Sequence, residues 1–309
     1  MNASKLTVTI GIPAHNEEAT IATLLNSIKT QVQTSFILEN VIVACDGCTD
    51  TTAQVAHTFK NCQVIDDGRR LGQAGRLSEF YKLNTSDIFI TFDADTQLAN
   101  AYVLEELVKP FADKQVGIVG GNPIPYKAQT FFEQIIVTWL RVWYETRKNL
   151  FNGLTIHNHN GKISAVRKEA IQDFCIPNDV FANDDFLYIS VINKGFIFAF
   201  APKAVVLYRA PNSIPDYFLQ HGRFVSLKER MFEYFGNEVK GLYYVPKSYK
   251  LKALIFVALR SPIYLALAIL FESILRKYKA RLIEHYKGVS WTEASSTKVI
   301  NTSLGGAFA

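Results

Sequence analysis

Along the first 121 residues, short apolar runs rich in β-branched residues alternate with longer segments in which apolar residues recur every three or four positions. The runs fall at 8–12, 41–44, 63–65, 88–92 and 116–119, and the segments between them at 17–29, 49–59, 73–83 and 99–111. Short apolar runs bounded by turn residues predict buried strands, and the i, i+3, i+4 spacing predicts amphipathic helices. Strand and helix taking turns predict a mostly parallel sheet flanked by helices, an α/β fold. Ligands in such sheets bind beyond the carboxyl ends of the strands, so the residues after each strand carry the functional question.

The second half is less regular. Its pattern predicts a helix over 130–150, a loop then strand over 158–167, and a helical run opened by Asn183-Asp184-Asp185 that ends near Gly195. Strands are predicted at 196–200 and 205–208, and a helix at 214–235. Beyond 245, apolar blocks at 253–259 and 263–271 flank Arg260-Ser261-Pro262. Neither block reaches the ~20 residues a spanning helix needs, and joining them buries Arg260. The pattern predicts a hydrophobic helical extension that lies in, or dips into, a membrane interface, with core helices covering the catalytic domain as the alternative.

Composition changes the picture in three places. With 309 residues, 49% apolar and 20% charged, the chain has material for about two domains of ~150 residues and is not disordered. The net charge of +5 is uneven: 13 of the 33 Lys and Arg, but only 6 of the 28 Asp and Glu, follow residue 224. A basic end that is also apolar favours anionic lipid over nucleic acid, with Lys247, Lys250 and Lys252 before the extension and Arg276, Lys277, Lys279 and Arg281 within its far end. Four cysteines are too few for a disulfide scaffold, and Cys45-Asp46-Gly47-Cys48 lacks the second pair of a zinc site. The apolar run 6–12 leads straight into Pro13-Ala14-His15-Asn16 and reads as a strand rather than a leader, so a cytosolic catalytic part at the cytoplasmic face of a membrane is expected.

Three polar turns follow the first, second and fourth strands: Pro13-Ala14-His15-Asn16-Glu17-Glu18, Cys45-Asp46-Gly47-Cys48-Thr49-Asp50 and Asp93-Ala94-Asp95. Between them, 67–76 holds Gly68, Gly72 and Gly75 with Arg69, Arg70 and Arg76, a cradle suited to phosphate. The period of two points Asp93 and Asp95 to one side, and two such carboxylates suit Mg²⁺ or Mn²⁺; a solvated turn with Asp95 capping a helix is the plain alternative. Asp46 has no capping register, and a carboxylate there can accept the imide N–H of uracil. Asp50 before Thr51 reads as a helix cap, and Glu17 and Glu18 suit a helix start whatever the function.

Taken together these stretches resemble the family 2 inverting glycosyltransferases of GT-A fold. Ile12 to Glu18 resembles the family's nucleotide-binding start, Asp46-Gly47-Cys48-Thr49-Asp50 its D-G-S-T-D turn, and Asp93-Ala94-Asp95 its D-x-D metal motif. Gly72 to Ser78 loosely resembles its phosphate segment, 160–170 its donor-sugar and acceptor stretch, and Gln220-His221-Gly222-Arg223-Phe224 its Q-x-x-R-W motif. The resemblance implies Asp184, with Asp185, as catalytic carboxylates. It implies donor contacts from Pro13, Ala14, Asn16, Glu17, Asp46, Gly72, Arg76, Asp93, Ala94, Gln220 and Arg223, and metal held by Asp93 and Asp95. The donor it implies is a nucleotide-sugar, UDP-linked for preference, and the acceptor a glycan or lipid-linked hydroxyl. The domains expected are a catalytic domain over 1–245, split at 122 into nucleotide-binding and acceptor halves, and a membrane-associating tail over 246–309. A nucleotidyltransferase and a catalytically silent sugar-nucleotide binding module at a membrane are the alternatives.

Overall fold

In the computed structural model, residues 5–286, 295–298 and 306 are described, without the side chains of 219–228 and 278–286. The chain divides into two compact units. One comprises residues 1–123 and 159–208, the other 124–158 and 209–309. The units interleave along the chain instead of dividing at 122 and 245, because the segment after 159 returns to the sheet while 124–158 packs with the C-terminal helices.

The first unit is built on the predicted alternation. β1 (Leu6–Ala14), β2 (Phe36–Cys45), β3 (Cys62–Ile65) and β4 (Ile88–Phe92) pair in parallel in the order β3-β2-β1-β4. Helices α1 (Ile21–Lys29), α2 (Thr52–His57), α3 (Gly72–Leu83) and α4 (Val103–Val108) fill the connections. The short β5 (Thr96–Leu98) precedes α4, and β6 (Val116–Pro125) follows it. The strands β7 (Ile163–Arg167) and β8 (Ile197–Tyr208) complete an eight-stranded sheet ordered β3-β2-β1-β4-β7-β6-β8-β5. β7 inserts between β4 and β6 antiparallel to both, so the fifth predicted run keeps its direction but not its neighbour. The predicted strands at 196–200 and 205–208 are one continuous strand. Val8, Ile10, Ile12, Val43, Ile88, Ile90 and Phe92 are fully buried, and Thr9, Phe89 and Thr91 between them are buried too, as in a sheet covered on both faces.

In the second unit, α5 (Phe131–Asn149) opens at a capping Thr130, whose Oγ1 accepts from the Glu133 amide. α6 (Asn183–Asn193) belongs to the first unit, while α7 (Ile214–Phe235), α8 (Lys247–Ala258) and α9 (Pro262–Tyr286) belong to the second. Trp139 and Val142 of α5 pack with Ala253, Val257 and Leu265. Pro262 stands as the first residue of α9, where its missing N–H costs nothing, so the two apolar blocks are separate helices. Among the described residues no helix is long and apolar enough to cross a membrane.

Candidate active site

Parallel pairing places the β1 and β2 exits side by side, with Ala14 opposite Cys45. Asn16 takes a left-handed conformation (φ 52°), which Asn tolerates better than most residues, and its Oδ1 accepts from the Thr49 amide at 2.8 Å. Glu18 accepts from the Thr51 amide at 3.0 Å, and the Glu18 amide donates to Asp50 at 3.1 Å. Asp50 also accepts from the Thr52 amide at 3.0 Å, so it braces the first residue of α2 from one position before the N-cap, which is Thr51. The Glu17 amide donates to Thr52 Oγ1 at 2.7 Å, and Thr20 Oγ1 donates to the Glu17 carboxylate at 2.7 Å. Pro13 and Ala14 are buried beneath these turns.

Two expected donor contacts are corrected. The Asp46 carboxylate is fully buried: Oδ1 accepts from the Leu71 amide (2.7 Å) and Arg76 Nε (3.2 Å), and Oδ2 from the Gly72 amide (3.1 Å). It is spent on the fold and turns no oxygen to a uracil. Arg76 is likewise fully buried, with Nη1 on Asp67 and Glu79 and Nη2 on Asp67 Oδ1 and the carbonyls of Cys45 and Arg69. Every N–H of the guanidinium is engaged, so it clamps the loop 67–72 to the end of β2 and is not a phosphate contact. These partners hold Asp67 well below the usual carboxylate range, first through Arg76 and then through Arg69. Gly72, at φ +72° with open space where a Cβ would stand, lets the chain bend from that loop into α3. Arg76→Lys keeps the charge and loses the fork. It should lower stability by roughly 2 kcal/mol, read as a reduced urea midpoint at unchanged m.

The chemistry gathers at the exit of β4. The antiparallel register of β4 and β7 pairs Phe92 with Ile163, which sets Lys162 across from Asp93. Lys162 Nζ lies 3.8 Å from Asp93 Oδ2 and 4.8 Å from the centre of the Tyr208 ring. Gln73 Nε2 donates to Asp93 Oδ1 at 3.0 Å, and Asn183 Nδ2 donates to Gln73 Oε1 at 3.3 Å. Asn183 is 8% exposed, and its Oδ1 accepts no hydrogen bond from the described residues. Asp184 follows at the start of α6; the Asp185 amide donates to its Oδ1 at 3.0 Å, and its carbonyl meets His159 Nδ1 at 3.0 Å. His159 Nε2 meets Ser164 Oγ at 2.6 Å, and burial pushes the imidazole down to about 4, so it is a neutral strut.

Burial raises both Asp93 and Asp184; Lys162 draws Asp93 back while Asp184 pushes it further up, and backbone amides, then Lys162, restrain Asp184. Burial opposes the charge on Lys162, but Asp93, Asp95, Tyr208 and Asp184 outweigh it and lift the ammonium above its ordinary range. Among the described residues, the recess thus gathers the carboxylates of Asp93, Asp95 and Asp184 around the ammonium of Lys162. That surplus of hard oxygen fits a divalent ion of the Mg²⁺ or Mn²⁺ kind, although among the described residues no three acidic, His or Cys side chains form a cage by themselves. Thr96 donates to the Asp93 carbonyl through its amide (3.2 Å) and Oγ1 (2.7 Å), fixing the turn that carries Asp93, buried Ala94 and half-buried Asp95.

The model of the family described as glycosyl transferase family 2 matches residues 9–175, more than half of the chain. The chain belongs to glycosyl transferase family 2. Asp184 lies just beyond the matched stretch. Among curated family members, the O-antigen chain rhamnosyltransferase RfbN of Salmonella typhimurium is 23% identical over 211 residues, 64% of this chain and 65% of the relative. Glycosyltransferase AglD of Haloferax volcanii is 32% identical over 120 residues, 35% of this chain and 18% of the relative. The chain therefore spans less than two thirds of the length of these relatives. In fold it is similar to the mannosyltransferase PcManGT from Pyrobaculum calidifontis, solved with GDP-Man and Mn²⁺, with a TM-score of 0.59 at 20% identity, covering 94% of this chain and 78% of that one. It is similar also to S. aureus TarS 1–349, with a TM-score of 0.54 at 15% identity over 91% and 89% of the two chains. The GT-A expectation is met.

Of the expected site residues, Asp93, Asp95 and Asp184 meet at one recess, and Asp185 stands one position along α6, half-buried. The side chains of Gln220 and Arg223, in α7, lie outside the described residues. Lys162, His159 and Asn183 were not singled out as ligands by their sequence, and Gln73 only as part of a loose match. The signal for Lys162 is its register opposite Asp93, which exists only once β7 is known to pair with β4.

Proposed function

We propose that the chain is an inverting glycosyltransferase that moves a sugar from a nucleoside-diphosphate donor to a hydroxyl acceptor. The observation that carries the reading is the meeting of Asp93, Lys162, Gln73, Asn183 and Asp184 beyond the carboxyl end of β4. Displacement at an anomeric carbon requires the acceptor hydroxyl to lose its proton as it attacks. Asp184 takes that proton, and a carboxylate raised by burial is the stronger base. Gln73 and Asn183 orient the two carboxylate-bearing segments toward each other, and the Asn183 amide oxygen accepts from a substrate hydroxyl. Lys162 draws Asp93 back toward its ionised form against burial. Asp93 and Asp95 would hold Mg²⁺ or Mn²⁺, which when bound neutralises charge on the leaving diphosphate. A screen of UDP- and GDP-linked sugars tests the class. Release of the nucleoside diphosphate, accelerated by acceptor, is the expected result, and release of pyrophosphate from a nucleoside triphosphate would instead make the chain a nucleotidyltransferase.

The same reading delivers the acceptor at the cytoplasmic face of a membrane, through the tail from residue 246. In its support, α8, α9 and the link between them expose Leu251, Ile255, Leu259, Ile263 and Leu270 beside exposed Lys247, Lys250, Lys252, Arg276 and Lys277. Apolar side chains flanked by cations suit an anionic interface, where each Lys or Arg near the surface contributes about 1 kcal/mol. In cell fractionation the full chain should sediment with membranes, resist low salt and be released by detergent. Recovery in the supernatant without detergent would overturn the membrane reading alone.

A further inference from the structure

Lys162 rides on the turn that leads into β7, where its amide donates to Asn160 Oδ1 at 3.1 Å and so fixes the backbone beneath it. The preceding Gly161 lies against the Asp93 carboxylate. A Cβ at Gly161 would stand 3.7 Å from Asp93 Oδ1 and 3.9 Å from Oδ2, so the missing side chain leaves one face of that carboxylate open. Lys162 Nζ reaches into the same recess, 3.8 Å from Asp93 Oδ2, and the carboxylates of Asp95 and Asp184 act on it as well. The ammonium thus stands among the carboxylates that suit Mg²⁺ or Mn²⁺. Two cations held by one set of carboxylates repel each other, so Lys162 and a divalent ion compete for the place.

The hold on Lys162 is loose. A charge-assisted N–H···O bond closes to about 2.7–2.9 Å, and a separation of 3.8 Å is beyond hydrogen-bond reach. The side chain is 29% exposed, and its ammonium stands 4.8 Å from the centre of the Tyr208 ring, a contact with a face and not with a single atom. Arg76 shows what a permanent pair looks like in this fold: it is fully buried and donates to Asp46, Asp67 and Glu79 at 2.7 to 3.2 Å. By contrast, a compact charge on a flexible four-carbon stem, partly open to water, can change partners without disturbing the turn that carries it.

A nucleoside diphosphate offers the partner that such an ammonium can move to, and hard carboxylate oxygens suit the divalent ion that comes with it. We propose that Lys162 is a tethered cation that occupies the recess of Asp93, Asp95 and Asp184 in the free chain and passes to the diphosphate of the donor when Mg²⁺ or Mn²⁺ is held there. The second half rests on the glycosyltransferase reading above; the first half does not. The consequence is coupled binding. In the free chain Lys162 weakens the hold on the ion, and with nucleotide present it strengthens the hold on the diphosphate, so each ligand raises the affinity for the other by the same factor.

The test is calorimetry on the full chain in mildly alkaline buffer, which keeps protons from taking the place of the ammonium. Mn²⁺ is titrated into the free chain, and UDP or GDP into the chain with Mn²⁺ present. Lys162→Met should bind Mn²⁺ about tenfold more tightly than the wild type in the first titration and the nucleotide about tenfold less tightly in the second. A residue that only braced the turn before β7 would weaken both. Lys162→Arg keeps the charge and should hold Mn²⁺ within about threefold of the wild type, and Lys114→Met, exposed before the amino end of β6, should move neither affinity. Lys162→Gln carries the same two expectations should Lys162→Met fail to fold. Unchanged or weaker Mn²⁺ binding by the Met and Gln variants, or no Mn²⁺ binding by any chain, would overturn the inference, and unchanged nucleotide affinity would overturn the transfer to the diphosphate. The free-chain titration needs no donor, so the two readings fail separately. Tighter Mn²⁺ binding in a chain that binds neither UDP nor GDP overturns the glycosyltransferase and keeps Lys162 in the recess, whereas sugar transfer with no change in Mn²⁺ affinity overturns this inference alone.

Discussion

Asp184→Asn should lower transfer to the acceptor by at least about 100-fold while leaving nucleoside-diphosphate affinity unchanged. The amide matches the carboxylate in size and still accepts the Asp185 amide on its oxygen, and the bond from His159 is to the Asp184 backbone carbonyl, which the substitution does not touch. What it loses is the ability to take a proton. Calorimetry with UDP or GDP beside a transfer assay distinguishes this from a binding role. Lost nucleotide affinity, with unchanged transfer per bound donor, would move Asp184 into the donor site. The pH profile adds a second check. Burial raises Asp184, so the base is protonated, and activity lost, as pH falls through a value above the ordinary carboxylate range. Because Asp93 is raised by burial and by Asp184, the acid limb of kcat/KM belongs to the pair. In Asp184→Asn the residual activity should lose that limb, or carry it at the lower value of Asp93 relieved of its neighbour.

The sheet was legible because its strands are nearly continuous apolar runs, which a parallel, doubly covered sheet requires. Ile88 to Phe92 is wholly buried, and its exit had to carry function because nothing else in the run is polar except Thr91. Asp93, Asp95 and Asp184 could be named in advance, since acidic residues at a strand end and a helix start are local features. Asp46 and Arg76 could not be assigned correctly. Each is a polar residue in the right turn, and only the packed loop reveals that they satisfy each other at 3.2 Å with no surface left for a ligand. Lys162 was hidden for the opposite reason. It lies 69 positions after Asp93 and meets it through strand pairing, and pairing between distant strands leaves no periodic trace in the chain. The interleaving of the two units was equally invisible, since apolar spacing in α5 announces a helix and not the helices it packs with.

Asp95→Ala should cut turnover severely, by several kcal/mol in transition-state stabilisation, and should weaken binding of Mn²⁺ followed by calorimetry or electron spin resonance. Among the described residues, the carboxylates of Asp93, Asp95 and Asp184 surround Lys162 and outnumber its one ammonium. Asp93 spends Oδ1 on Gln73, and its Oδ2 faces Lys162, so Asp93 is a poor ion ligand by itself and the loss of Asp95 should be felt directly. The Thr96 bonds to the Asp93 carbonyl do not involve the Asp95 side chain, so the turn and the fold should survive the substitution, with an unchanged melting temperature as the control. Chelation with EDTA should reproduce the loss in the wild-type chain, and added Mn²⁺ should restore the wild type and not Asp95→Ala. Asp50→Ala, which removes a turn carboxylate just before α2 and not a member of the recess, should leave Mn²⁺ affinity where it was. Near-normal turnover of Asp95→Ala in EDTA would sink the assignment and leave Lys162 as the group that answers the charge on the leaving diphosphate.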